Sequence, residues 1–206
     1  MIVSARGVAR SFGDRLALAP IDFSLAAGEI VALIGPNGAG KSTLLSILAG
    51  ALEPSEGVVR WEDGVRVGWV PQRPGHYARL SARENLQLFA RLEELPDPDG
   101  EAARLLAEFE LPADGQPSGS LSVGNRQRLN VALALLGGRD ALLLDEPTAS
   151  LDPAQRTRLW QLVERVREAG GAVLFSTQNL DEVERHADRV EALRDGVRVA
   201  AEEAFV

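Results

Sequence analysis

Residues 35–42 read Gly-Pro-Asn-Gly-Ala-Gly-Lys-Ser, a spacing of glycines, lysine and hydroxyl that suits a chain of phosphates. Gly35, Gly38 and Gly40 let backbone N–H groups curl towards an anion, with Pro36, Asn37 and Ala39 filling the turn between them. A helix that starts at Lys41 and runs through Ser42 and Thr43 adds the positive end of its dipole. Lys41 would reach the β- and γ-phosphates of a nucleoside triphosphate, and the Ser42 hydroxyl would ligate Mg²⁺. The composition singles out the same residue. The chain has 22 basic residues, of which Lys41 is the one lysine and the rest are arginine. A site that needs a slim stem and a compact charge cannot take the planar arginine fork.

A second patch of chemistry lies at Leu142-Leu-Leu-Asp145-Glu146, an apolar run that ends in paired carboxylates. Beside a phosphate loop, Asp145 would hold Mg²⁺ directly or through water. Glu146, one residue on, would orient or deprotonate an attacking water. A strand ending in Asp-Glu says little alone; its company with the glycine-rich loop is what makes it specific.

These residues need rigid elements behind them. The run over 29–34 has the pattern of a buried strand and leads straight into the glycine turn, and the helix over 41–49 stops at Gly50. Short strands are predicted over 58–61, 65–70, 141–145, 172–176 and 190–194, with helices over 153–168 and 181–187 between the later ones. Ser81 and Glu84 form a capping box ahead of an amphipathic stretch, and the pattern stays helical to about 137. Strands alternating with helices indicate an α/β fold: a P-loop NTPase core with a mostly parallel sheet, an N-terminal antiparallel β portion and an inserted α-helical subdomain. On this reading 1–206 is one domain, with 1–80 and 138–206 as nucleotide-binding core and about 81–137 as helical subdomain.

Composition bounds the partners. A net charge of −8, with the arginines spread along the chain, argues against nucleic acid as the main partner. No apolar run approaches the length of a membrane span, and the first residues lack a secretory pattern, so a cytoplasmic location is expected. The absence of cysteine decides nothing.

With the phosphate loop and the Asp-Glu strand in hand, the chain resembles the ATP-binding-cassette (ABC) family along nearly its whole length. Phe12 sits where that family has an aromatic that stacks on adenine, with a plain core position as the alternative. Gln72, in Val70-Pro-Gln-Arg73, matches a glutamine that touches Mg²⁺ and joins the subdomains. The segment Leu121-Ser-Val-Gly-Asn-Arg-Gln-Arg-Leu129 resembles the family signature, so Ser122 and the backbone at Gly124 would contact ATP held by a partner cassette. Ser150-Leu-Asp152 matches the loop at the dimer interface, with Asp152 a partner contact or simply an N-cap ahead of Pro153. Ser176-Thr-Gln-Asn179 matches the switch segment, which puts Gln178 with Glu146 and Gln72 in the catalytic set.

The resemblance implies ATP and Mg²⁺ as ligands and a second ABC ATPase subunit, identical or different, as partner. It also implies membrane-spanning transporter subunits, with the chain peripheral on the inner face of the cell membrane. Residues 73–79, with His76 and Tyr77, would face those subunits or form an exposed polar loop. The run over 77–86 is similar to cassettes of drug, lipid and haem export systems. Alternatives are a regulatory, mainly ATP-binding cassette paired with a more active one, or an ABC ATPase outside transport.

Two positions depart from the family pattern. Val123 replaces the first of two glycines, so the loop must hold an ordinary backbone there. Gln178 replaces a histidine; an amide can donate a hydrogen bond but cannot carry a proton. Slower hydrolysis is therefore expected, and Gln178→His is expected to raise the rate. The chain's two histidines, His76 and His186, lie elsewhere, and His186 is expected to be solvated on its helix.

Overall fold

The computed structural model describes residues 1–73, 75–149 and 151–205. Strands β1 (Val3–Phe12) and β2 (Arg15–Leu25) form an antiparallel hairpin, followed by β3 (Ile30–Ile34), the glycine turn and helix α1 (Lys41–Leu48). Strand β4 (Glu56–Trp61) returns beside β1 to complete a three-stranded antiparallel sheet ordered β2-β1-β4. It starts two residues earlier than its apolar pattern suggests because Glu56 pairs with Ala9. Strand β5 (Val67–Val70) starts later than predicted. The carbonyl of Arg66 is taken by the N–H groups of Asp140 and Ala141, and the ladder begins at Val67.

Helices α2 (Ala82–Leu92), α3 (Pro98–Glu108) and α4 (Val123–Ala134) then lie between β5 and strand β6 (Ala141–Asp145). The capping box of α2 is present: Ser81 Oγ accepts from Glu84 N at 3.2 Å, and Glu84 Oε2 accepts from Ser81 N at 2.8 Å. The chain closes with α5 (Pro153–Glu168), β7 (Ala172–Thr177), α6 (Leu180–His186), β8 (Arg189–Arg194) and β9 (Val197–Val199). The second sheet has the order β5-β6-β7-β3-β8-β9 and is parallel except for the last pair. This is the mixed α/β fold expected, with its antiparallel N-terminal sheet and helices inserted between core strands.

Every residue of β3, β6 and β7 is buried, as the unbroken apolar runs of an inner parallel sheet require. Their side chains alternate between two cores. Ile30, Ala32, Leu142, Leu144, Val173 and Phe175 face the layer that holds α2 to α6. Val31, Leu33, Ala141, Leu143, Ala172 and Leu174 face α1 and the antiparallel sheet. The parallel sheet is thus a rigid middle layer, and the registers align its strand ends: Ile34 lies opposite Thr177, and Asp145 opposite Ser176. Among the described residues, no helix is long and apolar enough to cross a membrane.

Candidate functional site

Loops that leave the carboxyl ends of neighbouring parallel strands converge, which is where α/β sheets place their ligand sites. Here the ends of β6, β7 and β3 lie side by side, so Glu146, Gln178 and the loop over 35–40 must meet. A cavity of about 380 Å³ opens there, lined by Lys41, Ser42, Thr43, Gln72, Glu146 and Phe12, among others. Asn37, Gly38 and Gly40 form its phosphate-loop wall. Phe12 is 50% exposed, and the Arg10 guanidinium stands 4.6 Å from its ring centre. It is not core; it offers a flat ring at the cavity's edge. Arg15, Leu16 and Ala17 line the same wall and carried no signal in the sequence, because only the β1–β2 hairpin brings them there.

The glycines are obligatory where the loop turns. Gly35 has φ +145°, and a Cβ there would stand 2.1 Å from the carbonyl oxygen of Leu193. Gly40 has φ +102° and lies against the carbonyl of Ala17, and it is from this left-handed turn that the chain enters α1. Lys41 is 5% exposed, and its Nζ donates to the carbonyls of Gly35 at 2.7 Å and Pro36 at 3.0 Å. Burial pushes its ammonium below the usual lysine range, opposed by the charges of Glu146 and Asp145. Its Nζ lies 3.9 Å from Glu146 Oε1.

Ser176 organises the two carboxylates, a role that its place in the switch segment did not announce. Its Oγ donates to Asp145 Oδ1 at 2.6 Å and accepts from Glu146 N at 2.9 Å. Glu146 adopts φ +48°, an uncommon conformation for a residue with a side chain, and this bend turns it from the strand towards Lys41. Gln178 Nε2 donates to Glu146 Oε1 at 3.2 Å and to Asn37 Oδ1 at 2.9 Å. The switch segment is anchored below by Thr177, which donates to Glu182 Oε2 at 2.8 Å.

The signature residues lie elsewhere. Ser122 is the N-cap of α4, and its Oγ accepts from Asn125 N at 3.2 Å. Val123 is the first helical residue, so the valine sits in an ordinary helical conformation, as its branched side chain requires. Gly124 lies against Gln155, whose Oε1 would be 2.8 Å from an added Cβ. Asp152 is the N-cap of α5: its Oδ1 accepts from Gln155 N at 2.9 Å, the capping reading of that segment. Ser150 lies outside the described residues, as does Pro74 within the 73–79 loop. The structure therefore brings Gly124 and Asp152 together around Gln155, with Ser122 at the start of the same helix as Gly124, and none of the three lines the cavity that holds Lys41. In the 73–79 loop, Tyr77 is 56% exposed and its ring leans on Phe89, while His76 Nδ1 lies 3.1 Å from Asn130 Oδ1.

One expectation is corrected. His186 is half-buried, stacked on Trp160 with ring centres 4.0 Å apart and planes 8° from parallel. Burial lowers its pKa, opposed by Glu164 and Glu182. The cause is that α5 and α6 both pack on β7, which a periodicity reading of α6 alone does not contain.

The site has hard oxygen donors for a small divalent cation in the Ser42 hydroxyl, the Asp145 carboxylate and the Gln72 amide. Among the described residues no group of three or more His, Cys, Asp or Glu could hold a metal alone. A donor set with a single carboxylate suits Mg²⁺, which binds through one or two carboxylates and completes its shell largely from phosphates and water.

Comparison with known proteins agrees with this geometry. The ABC transporter family matches residues 18–149. The probable multidrug ABC transporter ATP-binding protein YbhF of Escherichia coli is 39% identical over 205 residues, 91% of this chain and 35% of that protein. The Nod factor export ATP-binding protein I of Bradyrhizobium diazoefficiens is 36% identical over 97% of this chain and 70% of its own length. The chain thus spans about a third of the first relative and 70% of the second. Among solved structures, the ATP-binding cassette MJ0796, in a dimeric post-hydrolysis state with ADP and Pi, superposes with a TM-score of 0.86. It is 27% identical and 95% of each chain is covered.

Proposed function

The chain belongs to the ABC transporter family, and from that premise we propose that it is an ATP-hydrolysing subunit that powers an export system. The observation that carries this reading is the convergence of Lys41, Glu146, Gln178 and Asn37 at three adjacent strand ends. In this proposal the N–H groups of the 35–40 loop and Lys41 hold the triphosphate, and Phe12 stacks on the adenine. Ser42, Asp145 and Gln72 would hold Mg²⁺, which would draw charge from the phosphate oxygens. Glu146 takes a proton from water as the water oxygen attacks the γ-phosphorus; the bond to the β-phosphate oxygen breaks, releasing ADP and phosphate. Gln178 does not titrate, so it serves as a fixed donor and leaves proton acceptance to Glu146.

A second cassette completes the site. Ser122 Oγ already accepts from Asn125 N, which leaves its hydroxyl hydrogen free for a γ-phosphate on the partner, at the positive end of α4. Asp152 would reach the partner through Oδ2, since Oδ1 caps α5. The dimeric state of the similar cassette supports pairing, and the relatives named for multidrug and Nod factor export support an exporter. The exposed loop around Tyr77 would then meet membrane-spanning subunits on the inner face of the cell membrane, and a net charge of −8 leaves nucleic acid unexpected.

The test is phosphate release from MgATP by the chain with its membrane partner. Glu146→Gln is expected to keep ATP binding, lose most turnover and accumulate an ATP-bound dimer by light scattering. Turnover and dimerisation equal to the parent's would refute the assignment of the base. Gln178 also supports a second reading, a regulatory cassette whose productive site is built with another protein. Turnover that appears only with a second, different cassette would favour it.

A further inference from the structure

Gln178 stands between two acceptors on different strands' loops. Its Nε2 is 3.2 Å from Glu146 Oε1 and 2.9 Å from Asn37 Oδ1, a residue 141 positions earlier. The polarity of this chain of contacts follows from charge. An ionised carboxylate only accepts, so the nitrogen of the Gln178 amide, not its oxygen, must face Glu146. Asn37 must then present its own oxygen to the same nitrogen. A primary amide carries two hydrogens on that nitrogen, one for each acceptor. A neutral imidazole nitrogen carries one, so a histidine could serve Glu146 or Asn37 but not both.

We propose that Asn37 is a positioning residue for hydrolysis, whose side-chain oxygen locks the Gln178 amide so that Gln178 ties the Glu146 carboxylate to the phosphate loop. This rests on the ATPase reading above. The carboxylate needs such a tie. Glu146 leaves β6 with φ +48°, its backbone is held by Ser176, and Lys41 Nζ at 3.9 Å lies beyond hydrogen-bond range. Among the described residues, Gln178 supplies the one hydrogen bond to its side chain. Both Gln178 and Asn37 are exposed, so without the second contact the amide could rotate into solvent and release Glu146. With it, the base, the switch segment and the loop that binds phosphate move as one body. Glutamine at the switch position is then matched to Asn37 rather than a weakened histidine. The expectation drawn from sequence for Gln178→His is reversed: one hydrogen meets two acceptors, and the rate is equal or lower.

The test is a double-mutant cycle on steady-state phosphate release. Loss of one hydrogen bond predicts that Asn37→Ala and Gln178→Ala each lower kcat roughly three- to tenfold, with the double variant no slower than Gln178→Ala. Effects that multiply would overturn the bridge, as would a severalfold gain in Gln178→His. A second measurement is independent of turnover. In ¹⁵N-labelled parent protein, the Gln178 side-chain amide is assigned by its loss in Gln178→Ala. One of its protons is expected to shift in Asn37→Ala and the other in Glu146→Ala. A parent that binds MgATP without hydrolysing it fails the ATPase reading, and these shifts then decide the bridge alone. A Gln178 amide indifferent to Asn37→Ala sinks it.

Discussion

Removing the charge of Lys41 is the sharpest probe of the cavity. The side chain is 5% exposed and its stem is sheathed by the loop whose carbonyls it meets at 2.7 and 3.0 Å. A unit charge about 4 Å from a phosphate oxygen is worth about 4 kcal/mol at an effective dielectric of about 20. A charge-assisted hydrogen bond viewed by itself contributes about 1.5–3 kcal/mol. These describe one interaction and do not add, so Lys41→Met is expected to lose about 3–4 kcal/mol of MgATP binding, roughly a 150- to 800-fold rise in Kd. The methionine keeps the slim stem, which limits the packing damage, although the carbonyls of Gly35 and Pro36 lose their donor. Lys41→Arg should fail almost as badly, because the guanidinium is too broad for a sheath shaped around an ammonium. The assay is titration with a fluorescent ATP analogue and Mg²⁺, with thermal melting to confirm that each variant folds. A folded Lys41→Met protein with the parent's Kd, or an arginine variant that binds normally, would refute the placement of the triphosphate.

Two other changes test separate parts of the structure. Phe12→Ala removes the exposed ring at the cavity's edge, and loss of base stacking should weaken ATP by about 1–3 kcal/mol while leaving inorganic triphosphate binding unchanged, measured by competition titration. His186 has its pKa lowered by burial against Trp160, so its neutral form is favoured in the folded chain. Its contribution to stability is complete above the unfolded value of about 6.5 and is lost as pH falls from there through the folded pKa. Parent protein is therefore expected to lose melting temperature more steeply than His186→Gln on acidification below about pH 6.5; parallel curves would show that the stack does not perturb the histidine.

The chemistry of the site was legible in the sequence wherever it depends on contiguous residues. The loop over 35–42 carries its own geometry, because glycine, lysine and hydroxyl at fixed spacing need only a strand before them and a helix after. Asp145 and Glu146 are likewise neighbours in the chain, and the apolar run before them is what an inner parallel strand must be. The valine at 123 restricts its own backbone, and the helix begins there. What only the tertiary structure decided is how residues far apart share hydrogens. Ser176 meets Asp145 because β6 and β7 pair in register, and Gln178 meets Asn37 because β7 and β3 do. His186 lies on Trp160 because α5 and α6 both pack on β7. Periodicity records which face of an element is apolar, but a polar contact across elements depends on register and approach distance, and those are properties of the packed sheet rather than of any single segment.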